Sequence, residues 1–443
     1  MKKLFALYFR TPLVARILAG FVIGSIIGIM LWWGAAPGAD AAEPAWKTYI
    51  EPFGAVFVNM LKMIVIPVIF FSLIVGSASL PISKFGRIGL KVIGWYFFCS
   101  ILAAGVGVAL ALAINPGSGT AAQGWEAMVG GVEREQAAAL ETEAATEHPF
   151  RQLLLSMFEN PFGALANGNF LPIIVFAIMF GLAIRVIVEA SKNVKQVEQL
   201  EGLVSIFSAL RDGMFKLVDW ILEYSPIGVL ALSIVNFGLY GPKIVGPYIS
   251  VTLGVIVGIV VMVFVVYSML LRIVTKKNPF RVFKNIQEAM IMAFMTRSSA
   301  ATLPVSLKVA KEDLKVRGEL ASFSLPLGAT INMDGVCVHL PMFAVLAANM
   351  FGFDLTAPTL ILLVMTTVLA SVGAGGVPGG SLMLLFIILE TMGLNGQQVS
   401  VIVALALGIN PILDMFETMN NITGDLVCTY VVADNENLLN VNG

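Results

Sequence analysis

Apolar runs long enough to cross a bilayer recur along the first part of the chain. They lie at 11–33, 47–79, 88–115, 163–190, 199–238 and 244–274. A helix needs about 20 apolar residues to span the hydrocarbon layer, so each run predicts one membrane-spanning helix. The remainder, 282–431, differs because Ser, Gly, Pro and Asp interrupt its apolar segments. The pattern predicts an all-α polytopic membrane protein with broken helices in its C-terminal part.

The composition agrees with a membrane protein and argues against other classes. The chain has 443 residues, 58% hydrophobic and 12% charged, with a mean hydropathy of +0.89, outside the usual soluble range. Its net charge of −1 gives no basic footprint for nucleic acid. Cys99, Cys337 and Cys428 lie in apolar segments and are odd in number, so we expect no disulfide framework. We interpret the first run as a retained helix, because it is too long for a signal peptide and no clear cleavage site follows it.

The distribution of basic residues predicts the topology. They cluster at Lys2 and Lys3, 84–91, 192–195, 276–284 and 308–317, whereas the loop at 133–147 is acidic. Because basic loops stay in the cytoplasm, the N-terminus is expected there and the loop at 116–148 outside.

Two segments are predicted to enter the membrane and return on the same side. The clusters at 276–284 and 308–317 both belong in the cytoplasm, so "TRSSAATLP" (296–304) between them would be the tip of a re-entrant hairpin. A second broken segment, "LASVGAGGVPGGSLM" (369–383), would enter from the opposite side. A polar-bearing span follows each hairpin, at 319–350 and 398–431. This is the pattern of an inverted repeat whose half-helix ends meet near the midplane.

The last span carries a stripe of polar residues. These residues are Asp414, Glu417, Thr418, Asn421 and Asp425. At about 100° per residue they share one helix face. Each acidic residue costs about 2.5–3.5 kcal/mol at the centre of a membrane helix, so the stripe cannot face lipid. A polar seam that joins helices is the alternative to a binding site.

A second polar patch, "GATINMDGV" (328–336), lies in the preceding span. A β-turn is possible there, but an unwound patch that offers carbonyls to a cation fits better between two apolar runs. The two patches contain four carboxylates, on Asp334, Asp414, Glu417 and Asp425, and the only basic residue within the core motifs is Arg297. The deficit of three positive charges predicts that bound cations complete the site.

Other interpretations of these segments are weaker. The run "GAGGVPGG" lacks the G-K-[ST] of a phosphate-binding loop, and its glycines with Pro378 suit a moving gate. His339, among apolar residues, is expected to be a satisfied core residue. A hydrolase would need a histidine near Ser298 or Ser299, and the sequence places none there.

The four motifs resemble those of the dicarboxylate/amino acid:cation symporter family, which includes the glutamate transporter homologues. "TRSSAATLP", "GATINMDG", "SVGAGGVPGG" and "DMFETMNNITGD" occur in the family's order. The segment "GRIGLKVIGWYFFCS" (86–100) is similar to its third span. The resemblance covers nearly the whole chain.

The resemblance implies a fold and an assembly. It implies eight transmembrane helices plus two re-entrant hairpins, arranged as inverted repeats in a homotrimer within the lipid bilayer. Residues 1–79 and 149–240 would form a scaffold, and 80–115 and 241–443 a transport domain that moves like an elevator. The expected location is a prokaryotic inner membrane, with both termini cytoplasmic.

The resemblance also implies the residues that bind sodium. A first ion would contact Gly328, Asn332, Asn421 and Asp425. A second would contact Thr330, Met333, Ser371, Val372 and Ala374. A third would contact Tyr96, Ser100, Asn332 and Asp334, but Cys99 replaces a threonine hydroxyl of prokaryotic aspartate transporters, and a thiol is a poor sodium ligand. Two or three sodium ions are therefore expected, with no organic cofactor.

The substrate is expected to lie beside these ions. By resemblance the substrate-binding residues are Arg297, Ser298, Ser299, Val336, Gly376, Val377, Asp414, Glu417, Thr418 and Asn421. Asp414 would bind the α-ammonium group, and Asn421 and Ser299 the α-carboxylate. Where members with acidic substrates carry an arginine and a threonine, this chain has Glu417 and Val336.

The sequence thus predicts a sodium-coupled amino acid symporter, not an enzyme, whose substrate is not acidic. Glu417 has no assigned partner, so it would either meet a cationic or cystine-like substrate or take up a proton and face a neutral one. A proton- or sodium-coupled symporter of dicarboxylates or acidic amino acids is the alternative. A channel is disfavoured because hairpins on both sides indicate alternating access.

Overall fold

The computed structural model describes residues 11–34, 44–78, 82–118, 155, 157–167, 169–374, 376 and 378–440. Most of the predicted extracellular loop at 116–148, the basic Lys2 and Lys3, and Val377 lie outside the described residues. The first part of the described chain forms α1 (Leu13–Gly34), α2 (Ala45–Ala78), α3 (Ile82–Ile114), α4 (Pro161–Asn167), α5 (Phe170–Ala190), α6 (Val194–Tyr240) and α7 (Val245–Thr275). The second part forms α8 (Pro279–Thr296), α9 (Ser299–Glu312), α10 (Gly318–Ile331), α11 (Asp334–Phe351), α12 (Ala357–Ser371), α13 (Gly380–Thr391) and α14 (Gly396–Asn435).

The helices confirm an all-α polytopic membrane protein. In the part of the chain that the structure describes, eight helical segments are long and apolar enough to cross a bilayer, with α10 and α11 counted together as one. The six predicted N-terminal spans correspond to α1, α2, α3, α5, α6 and α7. Their apolar side chains face lipid or neighbouring helices, because hydrocarbon offers the backbone no hydrogen-bond partner and only helices satisfy it internally.

The first hairpin forms where "TRSSAATLP" predicts a tip. Helix α8 ends at Thr296, and the next residue, Arg297, adopts a left-handed conformation with φ of 54°. Ser298 then caps α9, because its side chain accepts a hydrogen bond from the Ala301 N–H. The chain reverses within these two residues, so α8 and α9 form a helix–turn–helix pair.

The second hairpin consists of α12 and α13, joined by the glycine-rich segment. Gly376 and Gly379 have φ of 65° and 79°, a conformation that glycine adopts without steric cost. A Cβ on Gly376 would also lie 2.3 Å from the Ala329 carbonyl oxygen, so only glycine fits at this point of the tip.

Small residues let the N-terminal helices pack closely. Gly20, Gly24 and Gly28 lie one turn apart on α1, and a Cβ on any of them would approach the α6 backbone within 2.7 Å. Such stripes of small residues bring membrane helices into backbone contact, which increases dispersion attraction where lipid provides no hydrophobic driving force. Helix α6 thereby joins α1 and α2 into one packed unit.

A second group of helices has its own core. One cluster of buried apolar side chains draws only on α3, α7 to α12 and α14, with the short link between α9 and α10. A larger cluster joins helices of both groups. The polar stripe of α14 is therefore enclosed by α3, α7, α11 and the two hairpins, away from lipid.

We expect Gly24→Leu to destabilise the protein, because the new side chain would meet the Leu230 carbonyl and Ser233 Cβ at 2.6 and 2.8 Å. Such overpacking costs about 1–3 kcal/mol. The thermal unfolding midpoint of the purified protein in detergent should fall. Gly34→Leu is the matched control, because no atom lies within 4 Å of its added Cβ. Equal midpoints for the two variants would contradict the close packing of α1 on α6.

Candidate functional site

The helix break between α10 and α11 creates the centre of the site. The Asn332 N–H closes α10 on the Gly328 carbonyl, and the Cys337 N–H opens α11 on the Met333 carbonyl. Asn332 and Met333 themselves have non-helical backbone angles. This confirms the predicted unwound patch. Asp334 stands in the first turn of α11, where the positive end of the helix dipole favours a carboxylate.

Asp334 and Asp425 are held by neutral hydrogen-bond donors. Ser100 Oγ donates to Asp334 Oδ1 at 2.9 Å, and Tyr267 OH donates to Oδ2 at 2.6 Å. The Asn332 side-chain amide donates to Asp425 Oδ1 at 2.9 Å. Both carboxylates are at most 1% exposed. Neither has a basic partner among the ion pairs of the described residues, so their charge is not neutralised by the protein there.

Two glycines let the backbone approach these carboxylates closely. A Cβ on Gly424 would lie 2.7 Å from Tyr267 OH and 2.8 Å from Asp334 Oδ2. A Cβ on Gly328 would lie 2.5 Å from Asp425 Oδ1 and 2.7 Å from Tyr96 OH. Any larger residue at these positions would therefore displace the oxygen atoms of the site.

The residues fit a hard monovalent cation. Asn332 Oδ1 is buried without a hydrogen-bond partner within the described part of the chain, although buried amide oxygens are normally paired. Carboxylate, amide, hydroxyl and carbonyl oxygens are the donors that hard cations prefer. The described residues contain no group of three or more His, Cys, Asp or Glu side chains suited to a transition metal.

The third predicted sodium site contains a residue that the sequence did not indicate. Tyr267 of α7 donates a hydrogen bond to Asp334 beside that from Ser100. The resemblance implied Tyr96, Ser100, Asn332 and Asp334 for this ion, without Tyr267. Tyr96 instead donates to the Ser324 carbonyl at 2.8 Å. The thiol of Cys99 lies 3.5 Å from that of Cys428. The only signal for Tyr267 was a phenol within a long apolar run, and Tyr248 has the same signal.

The residues predicted for the second sodium line the end of α12 and the helix break. Ser371 Oγ donates to the Val368 carbonyl, and Thr330 Oγ1 donates to the Pro326 carbonyl. Val372 and Ala374 are buried. Met333 and Asn421 meet across the site, because Asn421 Nδ2 donates to the Met333 sulfur at 3.3 Å. Asn421 was predicted as a ligand of the first sodium, and its Oδ1 atom accepts a hydrogen bond from the Gly335 N–H at 2.7 Å.

The two hairpin tips meet over the predicted substrate position. Ser298 Oγ donates to the Gly376 carbonyl at 3.0 Å, and Ser299 is fully buried beside it. Asp414 Oδ2 accepts from the Gly379 N–H at 3.2 Å and lies 3.7 Å from Arg297 Nη1. The structure thus brings Arg297, Ser298, Gly376 and Asp414 together.

Glu417 has a partner that the sequence analysis missed. His339 Nδ1 contacts Glu417 Oε1 across α11 and α14. His339 was predicted to be a satisfied core residue. This was wrong, because its Nε2 atom is buried without a hydrogen-bond partner in the described part of the chain. The expectation that Glu417 lacks a partner was also wrong. The two residues are 78 positions apart, so sequence spacing gave no signal.

The remaining predicted residues lie beside this pair. Val336 and Thr418 are both 4% exposed, and Val336 follows Gly335, whose added Cβ would touch the Glu417 backbone at 2.5 Å.

Comparison with known proteins gives a match over almost the whole chain. The sequence model of the "Sodium:dicarboxylate symporter family" matches residues 13–435. "Excitatory amino acid transporter 3" of Mus musculus is 30% identical over 95% of this chain and 84% of its own. "Neutral amino acid transporter B(0)" of Oryctolagus cuniculus is 31% identical over 93% of this chain and 77% of its own. "Proton/sodium-glutamate symport protein" of Bacillus subtilis (strain 168) is 30% identical over 97% of this chain and 94% of its own.

We expect sodium to stabilise the purified protein against heat, and Asp425→Asn to weaken that effect. The substitution removes a formal charge from a buried site built of amides and carbonyls, so the sodium concentration for half-maximal stabilisation should rise about tenfold or more. Thermal unfolding in detergent, with choline replacing sodium, measures the effect.

Asp434→Asn on the same helix is the control, because Asp434 pairs with Lys277 at 3.8 Å and is partly exposed. An unchanged sodium dependence in Asp425→Asn would remove this residue from the ion site.

Proposed function

The chain belongs to the sodium:dicarboxylate symporter family, and we propose that it couples the uptake of a non-acidic amino acid to sodium. The family match and the names of the three relatives support sodium-coupled amino acid transport. The relatives differ in substrate, since one is named for glutamate and another for neutral amino acids. The choice between substrate classes therefore depends on the pocket of this chain.

The environment of Glu417 favours a substrate without a second carboxylate. Its side chain is 1% exposed and lies on the same face of α14 as Asp414. Arg297, the basic side chain at the hairpin tips, already lies beside Asp414. A second carboxylate on the substrate would therefore face Glu417 at a few ångströms, and the repulsion at the effective dielectric of such a site is several kcal/mol, as expected for like charges about 4 Å apart. An amino acid with a single carboxylate avoids this repulsion.

Two or three sodium ions would provide the missing positive charge. Asp425 with Asn332 and Gly328 forms the first site, and Thr330 with the end of α12 forms the second. Asp334 with Tyr267 and Ser100 supports a third, in spite of the thiol of Cys99. These ions would bind among the oxygen atoms of these residues and offset the buried carboxylates.

We propose that transport occurs by an elevator movement. The scaffold would be residues 1–79 and 149–240, which include the α1–α6 contact, and the transport domain would be 80–115 and 241–443, which supply every residue of the separate core cluster. The cavity between the two groups is lined by Leu13 and Ile17 of α1 and by Pro378 and Gly379 of the second hairpin. Leu13 and Ile17 lie at the start of α1, which is the proposed cytoplasmic end of that helix. A second hairpin that reaches this end corresponds to an inward-facing arrangement.

The assembly and location follow the family resemblance and the loop charges. We propose a homotrimer in a prokaryotic inner membrane with cytoplasmic termini. The described basic residues at 192–195, 276–284 and 308–317 would then face the cytoplasm, in agreement with the positive-inside rule.

Proteoliposome uptake tests the substrate class. With an inward sodium gradient, we expect accumulation of serine, lysine or cystine and at least about 100-fold weaker uptake of aspartate, the ratio for a repulsion of about 3 kcal/mol. Glu417→Arg should make aspartate a transported substrate, because it reverses the charge that repels the second carboxylate. If the unmodified protein prefers aspartate or succinate, with sodium or with a proton gradient, it is a symporter of acidic substrates instead.

Cross-linking tests the elevator movement. Lys62 of α2 lies 3.8 Å from Glu390 and 5.4 Å above the Phe386 ring of α13, so this contact joins the two proposed domains. In a background without Cys99, Cys337 and Cys428, a short bis-methanethiosulfonate cross-linker, which joins Lys62→Cys and Glu390→Cys through reducible disulfides, should abolish most uptake, and reduction should restore it. Lys62→Cys alone, treated identically, is the control. Full uptake by the cross-linked protein would contradict the movement.

A further inference from the structure

The pair formed by His339 and Glu417 lies next to a close backbone contact between α11 and α14. A Cβ on Gly335 would lie 2.5 Å from both the Cα and the carbonyl oxygen of Glu417, so the helices touch at this level. His339 stands one turn further along α11, and from there its ring reaches the Glu417 side chain. The ring also stacks on Phe343, with 4.8 Å between the ring centroids. Packing and the contact with Glu417 thus fix the imidazole on two sides.

Charged and hydrogen-bonding groups approach Glu417 from both helices. On its own helix the nearest charged side chain along the chain is Asp414, which interacts electrostatically with Glu417 and lies beside Arg297 of the first hairpin. On the facing helix α11, His339 Nδ1 contacts one oxygen of Glu417, and His339 Nε2 is buried without a partner within the described residues. The protein thus occupies only one side of the Glu417 carboxylate.

One oxygen of the Glu417 carboxylate remains without a partner. Oε1 contacts His339, whereas Oε2 is buried and makes no hydrogen bond within the residues that the structure describes. A buried carboxylate oxygen without a donor is costly and uncommon in native structures. Because Glu417 shares its helix face with Asp414 and Thr418 of the proposed substrate site, a bound substrate is positioned to supply the missing donor.

We propose that His339 is a positioning residue that holds Glu417 as a hydrogen-bond acceptor for the side chain of a small neutral amino acid carrying a donor, such as a hydroxyl. This inference rests on the proposed function and narrows its substrate class. The His339 contact uses one carboxylate oxygen and fixes the rotamer, and the other oxygen accepts the substrate hydroxyl. A site built to bond a hydroxyl discriminates strongly against the analogue that lacks it, since the buried acceptor is then left unpaired.

Pairs of amino acids that differ only by the hydroxyl test the proposal. Sodium-driven uptake into proteoliposomes is measured for serine against alanine and for threonine against valine, with lysine and aspartate as charged probes. For the unmodified protein we expect an apparent affinity at least about tenfold higher for serine than for alanine, as one buried hydrogen bond to a charged group allows. Lysine and aspartate should compete poorly.

Variants of the pair separate positioning from folding. His339→Phe keeps a ring against Phe343 but removes the donor, so the serine-to-alanine ratio should fall towards one while alanine uptake is retained. His339→Asn, which keeps a donor, should restore part of the ratio, and Glu417→Gln should lower it. A purely structural role would reduce uptake of serine and alanine equally and leave their ratio unchanged.

The outcomes distinguish the inference from the proposed function. Neutral uptake without a preference for the hydroxyl, or a preference for lysine, would overturn the inference and leave the non-acidic class standing. A preference for aspartate would overturn both. Sodium-dependent thermal stabilisation of each variant shows whether it folds. If the His339 variants do not fold, the serine-to-alanine ratio of the unmodified protein decides the proposal by itself.

Discussion

The fold has to keep carboxylates in a core from which water and lipid headgroups are excluded. A charge in such a core persists only if it is paired or hydrogen-bonded. Three kinds of contact hold the four buried carboxylates, which belong to Asp334, Asp414, Glu417 and Asp425. Hydroxyl and amide donors hold Asp334 and Asp425 and leave their charge for bound cations. Arg297 and a backbone N–H approach Asp414. An imidazole from the facing helix contacts Glu417.

The broken helices follow from the same constraint. A continuous membrane helix uses all its carbonyls internally and offers none to an ion, whereas the interruption at Asn332 and Met333 frees backbone atoms at the level of the carboxylates. Glycine is required next to these oxygens, because a Cβ at Gly328 or Gly424 would clash with them. The hairpins close the arrangement, with their tips joined by the hydrogen bond from Ser298 to the Gly376 carbonyl. Among the described residues near these carboxylates, non-helical backbone thus lies at the helix break and at the two hairpin tips.

These solutions divide the site into parts with different tasks. Asp334 and Asp425, whose hydrogen-bond partners are uncharged, are the carboxylates proposed to bind sodium, so ion binding and the stability of this part of the protein would be linked. Glu417 is the carboxylate proposed to bind the substrate side chain. With a different partner for each buried charge, the proposed set of sodium ions and substrate would leave little net uncompensated charge, as the proposed movement of a loaded domain through the membrane would require.

The class and the spans of this protein were predictable from its sequence. Hydrophobic runs locate the helices because the bilayer imposes their length, and the "TRSSAATLP" and "GATINMDG" motifs located a hairpin tip and the unwound patch because Asn, Ser and Gly there interrupt otherwise apolar segments. Which side chains meet depends on the packing of the helices. The contacts of His339 with Glu417 and of Tyr267 with Asp334 join residues 78 and 67 positions apart. Such pairs depend on how closely two helices approach, here set by Gly335 and Gly424, and a single sequence does not encode helix separation in any local pattern.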